Sequence, residues 1–358
     1  MRLLRTILFI SITICTYSVS AEPFAYVGTF SNGTVNVIDT ATNTVVDTIT
    51  VGAGPLGVSI SPNGDFVYIS NFLDETLSVI KTETNQVVAT IDIGNMPRGI
   101  AVSPDGNLIY VANTGDNNVS VINASTFEII TNIEVGNFPF GVAVSPDRNT
   151  LYVTNRNDFT LSFVNTTTNT VFKTIDTEDG PFGVVVSKDG TTVYVANFIS
   201  ETISVISTFS NSIVDTINTG AGTEDLALSP DDSRLYATNF TDNTVSVIDT
   251  STNQVIETVP VEALGPQGIS VTPDGAFVYT ANAGSSNVSV IQTSDNSLFD
   301  IVPLDGGGAI AFGTFIEPAE IINTTAVPTL NLWSMLLVIG LFGIISLYVI
   351  RKRVPISS

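Results

Sequence analysis

Tyr152-Val153-Thr154-Asn155 decides the fold because the same stretch returns as Tyr68-Ile69-Ser70-Asn71, Tyr110-Val111-Ala112-Asn113, Tyr194-Val195-Ala196-Asn197, Tyr236-Ala237-Thr238-Asn239 and Tyr279-Thr280-Ala281-Asn282, after a degenerate first copy at Tyr26-Val27-Gly28-Thr29. The tyrosines lie 42 residues apart five times in succession and 43 apart at the last step. A fixed period of that length marks an array of one supersecondary unit stacked on its own copies.

Within one period four strand signals follow in order: Gly141 to Ser145, Thr150 to Thr154, Thr160 to Asn165 and Thr170 to Asp176, separated by Asn-, Asp-, Thr- and Pro-rich turns. Short runs of Val, Ile, Thr and Tyr bounded by such turns read as an antiparallel meander. The second strand is apolar nearly throughout, so both its faces need cover, which suits radially stacked blades. Gly57, Gly99, Gly141, Gly183, Gly268 and Gly308 open the first strands, where crowding around an axis leaves room only for small residues. The chain enters on a second strand, Phe24 to Thr29, and its missing first strand appears at Gly308 to Phe312. The sequence therefore predicts an all-β, seven-bladed propeller of four-stranded antiparallel blades, closed by pairing the two ends of the array.

The unit Pro-x-Gly, Ser-Pro-Asp-Gly, Tyr-Val-Thr/Ala-Asn, Asn-x-Val-Ser-Val-Ile-Asp-Thr resembles the YVTN-repeat β-propellers of bacterial and archaeal secreted and surface proteins, which are WD40-like in architecture. The resemblance runs from Phe24 to about Phe312. It implies surface-layer-like proteins, binding modules and some lactonase-like enzymes, so it implies the fold and leaves the activity open.

Between Glu22 and Glu320, 34 acidic side chains face seven basic ones. Such a polyanion repels nucleic acid and anionic surfaces. No histidine is present and the one cysteine, Cys15, lies in the leader. Catalysis or metal binding is left to carboxylates, hydroxyls and amides.

Arg2 and Arg5, the apolar run Ile7 to Ile14 and Val19-Ser20-Ala21 read as a signal peptide over 1–21, followed by the propeller over 22–318 and a linker over 319–327. Residues 328–353 read as a sorting signal with a transmembrane helix over Leu332 to Ile350 and the basic tail Arg351-Lys352-Arg353. Pro328, Thr329, Leu330 and Trp333 resemble the IPTL-type C-terminal sorting motif, with Val327 and Ser334 departing from it. The resemblance implies a transpeptidase-like membrane enzyme as a partner. The expected location is the cell envelope or surface, with the propeller outside the cytoplasm and membrane contact through the C-terminal helix.

The Asp of Ser-Pro-Asp-Gly and the repeated Asn read as turn residues, and the repeated Tyr as core. Positions where one repeat breaks the pattern carry more information. Before the first strands the copies read Leu56, Arg98, Phe140, Phe182, Glu224, Gln267 and Gly307, and Thr223-Glu224-Asp225 replaces the usual Pro-x-Gly. Neighbouring loops add Asp74, Glu75, Asp116, Arg156, Asp158, Glu201 and Asp242. The candidate binding site is accordingly a funnel of Arg98, Phe140, Phe182, Glu224, Asp225 and Gln267. Two readings compete. The favoured one is a non-enzymatic scaffold, not an enzyme, that binds an envelope protein, peptide or glycan without a cofactor. The alternative is a lactonase-like hydrolase using carboxylates, with Ca2+ as the candidate metal should they converge.

Overall fold

The computed structural model describes residues 23–318. The chain divides into two units, Met1–Glu320 and Ile321–Ser358. The propeller belongs to the first. The signal peptide, the sorting motif and the expected membrane helix lie outside the described residues, among which no helix is long and apolar enough to cross a membrane.

Seven separate four-stranded antiparallel sheets make seven blades. Blade 1 combines Phe24–Thr29, Thr34–Asp39 and Thr44–Thr50 with the short inner strand Ala309–Ile310. Blades 2 to 7 follow as residues 55–92, 97–134, 139–176, 181–218, 223–260 and 266–303. Burial peaks at the second strand and falls toward the rim, so Leu108–Asn113 is buried over its last five residues, whereas the fourth strand Ile129–Glu134 buries only Ile133. That gradient is why the second strand is apolar on both faces and the fourth alternates.

The repeated tyrosine is core, as expected, and it packs across blades: Tyr68 of blade 2 joins Ile100, Ile109, Val111 and Ile122 of blade 3. Its hydroxyl needs a partner inside, and Tyr279 finds Asn43 Oδ1 of blade 1 at 2.5 Å. The Ser-Pro-Asp-Gly aspartate closes its own turn, as in Asp147, which accepts from Ser145 Oγ at 2.5 Å and Asn149 N at 3.0 Å.

The repeated asparagine departs from its turn reading. Asn155 is fully buried, and its Nδ2 donates to Thr160 Oγ1 at 3.0 Å and Ser162 Oγ at 2.9 Å while its Oδ1 accepts from Gly136 N at 3.1 Å. It therefore pins the third strand and the incoming loop to the second strand. A Cβ on Gly136 would lie 2.6 Å from the Asn155 amide, which is why that loop position is glycine.

Closure takes a shorter form than a Gly308 to Phe312 strand. Within Gly308 to Phe312, only Ala309 and Ile310 form strand pairs with blade 1, opposite Thr29 and Gly28. Phe312 then turns to blade 2, accepting from Val58 N at 2.8 Å and donating to Leu56 O at 3.2 Å. The chain returns to blade 1, where Tyr26 N donates to Phe315 O and Glu317 N donates to Phe24 O. Positive φ angles at Gly306, Gly308 and Gly313 make these changes of direction accessible. Ile310, rather than Gly307, consequently joins Leu56, Phe140 and Phe182 at the axis.

Candidate functional site

Strand direction alternates within each blade, so the loops entering the inner strands and the hairpins leaving the second strands share one end of the ring, here the front. Leu56, Phe140, Phe182, Ile310 and Phe312 meet there as a buried apolar plug. Phe140 and Phe182 have centroids 4.2 Å apart, and Phe312 meets Phe140 edge-on at 5.2 Å.

Two arginines lie among these rings. The Arg98 guanidinium is 4.8 Å from the Phe72 centroid, 4.7 Å from Phe140 and 5.6 Å from Phe138, and that of Arg156 is 4.8 Å from Phe182 and 5.7 Å from Phe138. Cation–π attraction holds both guanidiniums against the aromatic arc. Phe138, shared by both, has φ of 59°, where most blades place glycine. That left-handed backbone costs a non-glycine residue about 1–2 kcal/mol.

Glu224 completes the cluster. It is 3 % exposed, and Gln267 Nε2 lies 3.4 Å from its Oε1. Burial raises its pKa well above the usual carboxylate range, as does the charge of Asp225, while Arg98 and Arg156 pull it back. Arg98 responds reciprocally: burial and repulsion from Arg156 lower its pKa to about 10, against the attraction of Glu224. Glu224 Oε2, Gln267 Oε1, Arg98 Nε and Arg156 Nε are buried without a hydrogen-bond partner among the described residues. The charges of both arginines reach Glu224 although neither forms an ion pair with it, and such unpartnered buried atoms are unusual in a native interior.

Adjacent residues on an extended strand point to opposite sides, and this separates the expected carboxylate pair. Asp225 leaves the arginines and faces the axis below the plug, where its Oδ2 accepts from Ile269 N at 3.4 Å and Gly313 N at 3.3 Å. Burial pushes its pKa up to about 7, with the amides of Leu226, Gly313 and Ile269 opposing. Its backbone N–H still donates to Thr238 Oγ1, as Gly141 N does to Thr154 Oγ1, so the blade geometry survives the added side chain.

The structure thus brings Arg98, Phe140, Phe182, Glu224 and Gln267 together and sends Asp225 elsewhere. The four front-face loop aspartates serve as loop caps: Asp74 accepts from Ala53 N, Asp116 from Asn95 N, Asp158 from Asn137 N and Asp242 from Ala221 N. Among the described residues no three carboxylates gather as a metal-ligand group. The sequence reading placed Phe140 and Phe182 at the funnel and missed the rest of the aromatic arc, Phe72 and Phe138. Its signal is the residue after each repeated asparagine, which reads Phe72, Thr114, Arg156, Phe198, Phe240 and Ala283, preceded by Phe30 in the first copy.

The family model described as lactonase, 7-bladed beta-propeller, matches residues 23–128 and 206–298. No curated protein matches the sequence. Similar solved structures include a hydrazine synthase of Kuenenia stuttgartiensis, with a TM-score of 0.67 and 22% identity over 80% of this chain and 99% of that one. A functionally unknown protein from Desulfotomaculum acetoxidans DSM 771 gives 0.71 and 17% over 81% and 99%. The dihydro-heme d1 dehydrogenase NirN gives 0.64 and 15% over 83% and 76%. At these identities the structural likeness conveys the fold. The family match corrects the expectation of a non-enzymatic scaffold, and with it the expectation that the chain is not an enzyme, because the matching family is named for a hydrolytic activity.

Proposed function

The chain belongs to the lactonase family of seven-bladed β-propellers, whose model covers more than half of its length, and from that premise we propose that it hydrolyses a cyclic ester on the front face of the axis. The observation that supports this reading is Glu224, a buried carboxylate with an unpartnered Oε2 that feels the charges of Arg98 and Arg156. Raised basicity suits the carboxylate to take a proton from water at neutral pH. Hydroxide then adds to the lactone carbonyl, whose oxygen gains charge that Arg98 or Arg156 stabilises by donation. Collapse breaks the ring C–O bond, and the departing alkoxide recovers the proton from Glu224, giving the hydroxy acid. Stacking on Phe72, Phe138, Phe140 and Phe182 fixes where the guanidiniums point.

Stopped-time pH-stat assays of the full chain on a panel of γ- and δ-lactones test this. Glu224→Gln should lower kcat by about 10²–10⁴, and Arg98→Met by about 10²–10³, with the melting transition kept. A wild-type rate no faster than the uncatalysed one across the panel would sink the reading, as would full activity in Glu224→Gln.

Within the family the seven repeats favour the YVTN branch, and the leader and tail motifs favour an exported enzyme anchored at least transiently by residues 332–350 and processed near Pro328 to Leu330 by a transpeptidase-like membrane enzyme. Mass spectrometry of the protein from its native envelope should find termini near Glu22 and Pro328. An intact chain ending at Ser358 would leave only a permanent anchor.

A further inference from the structure

At the back of the ring the inner strands enclose a second space of about 370 Å3. Its walls come from the later halves of those strands and include Ile60, Val102, Val144, Val186 and Leu228, with Asp225 at its inner end. Apart from that of blade 2, whose other edge Phe312 joins, each inner strand pairs on one side only, so unpaired backbone edges face this space between the aliphatic side chains. Asp225 is the one charged side chain in the lining among the described residues, and it is 5 % exposed.

The contrast with Glu224 defines the chemistry. Glu224 shares its surroundings with two arginines, whereas only backbone amides stabilise the Asp225 carboxylate, two of them through long contacts of 3.3 and 3.4 Å. Its position is also costly to occupy: a Cβ on the corresponding Gly57, Gly99 or Gly141 would lie 2.0, 2.3 or 2.4 Å from a carbonyl oxygen of the next blade. Blade 6 nevertheless carries a full carboxylate there.

We propose that this back cavity binds a small primary alkylammonium, with its nitrogen on Asp225 and its carbon chain along the aliphatic walls. A cation supplies the charge that the lining lacks, three donors for a carboxylate and the nearby carbonyl edges. The cavity sits at the small end of the roughly 300–1,000 Å3 typical of ligand pockets, which limits the chain to a few carbons. The excess of acidic side chains over the whole chain draws cations toward it.

Calorimetric titration of the full chain with n-butylammonium, n-butanol and butyrate provides the test. Butylammonium should saturate one site, butanol should bind at least tenfold more weakly and butyrate not at all. Asp225→Asn should weaken butylammonium at least tenfold. Asp225→Gly restores the residue that blades 2 to 5 and 7 carry and should lose binding while keeping its melting transition. Glu224→Gln should keep binding, since that residue belongs to the front cluster, and this separates the proposal from the hydrolytic reading. Absent binding, equal binding of butanol, unchanged binding in both Asp225 variants, or loss of binding in Glu224→Gln would each overturn it.

Discussion

Asp225 shows at the scale of one residue how a blade tolerates a group that opposes folding. Its pKa rises from 3.8 to about 7 because burial disfavours the charged form. A carboxyl raised in the folded state contributes its stability fully below the unfolded value, and that stability is lost as pH rises through the folded one. The protein should therefore lose stability between about pH 4 and 7 from this residue, by about 4 kcal/mol at most given about 1.4 kcal/mol per unit. The turn aspartates have the opposite sign: Asp231 is held down to about 2 by Ser229 and by the Ser233 amide and hydroxyl. Their stability is present above the unfolded value and lost below it, so the two windows separate. Urea denaturation of wild type and Asp225→Asn at pH 4.5 and 7.5 should show a smaller loss in the variant. Equal losses would mean that Asp225 is not buried as a neutral acid. Glu224 is raised in the same direction, in part by the Asp225 charge, so the difference reports Asp225 together with its coupling to Glu224.

Individual elements explain which parts of the architecture were legible in the sequence. Blade strands are readable because their needs repeat: an apolar second strand, a buried tyrosine bridging to the next blade, and turns closed by a local aspartate. Asn155 was misread for a physical reason. Asparagine after a strand is ordinary turn chemistry, and only the three-dimensional meeting of Gly136, Thr160 and Ser162 reveals a buried amide cross-link. Pattern-breaking singled out Arg98, Phe140, Phe182, Glu224 and Gln267 at the front end, since the inner strands start at comparable points. It could not show that Glu224 and Asp225 part company, because that depends on strand alternation measured against the axis. Phe72 and Phe138 of the aromatic arc escaped for a different reason: one follows a second strand and the other precedes an inner strand of a separate blade, and each alone resembles a stray loop phenylalanine. The closing strand was placed correctly and drawn too long, since its glycines permit changes of direction that composition alone does not orient.

For the whole molecule, closure and site are one problem. The segment that completes blade 1 also supplies Ile310 and Phe312 to the front plug and Gly313 N–H to Asp225. It ends with Glu317, whose carboxylate accepts from Phe24 N at 3.0 Å and Tyr26 hydroxyl at 3.2 Å. A ring held in this way has no free blade face from which unfolding could start. Deleting residues 306–318 removes Ile310, Phe312, Phe315 and Ile316 from the interior, each 8 % exposed or less. Fully burying such a side chain contributes about 1.5–3 kcal/mol, and domains are stable by only about 5–15 kcal/mol. The deletion should consequently unfold much or all of the ring, seen as loss of the cooperative transition in circular dichroism, and the proposed lactone hydrolysis should vanish with it because the front plug loses Ile310 and Phe312. The milder Glu317→Gln keeps the apolar contacts and should lower the midpoint only slightly. A deletion variant that melts like the intact chain would show that blade 1 closes without this strand.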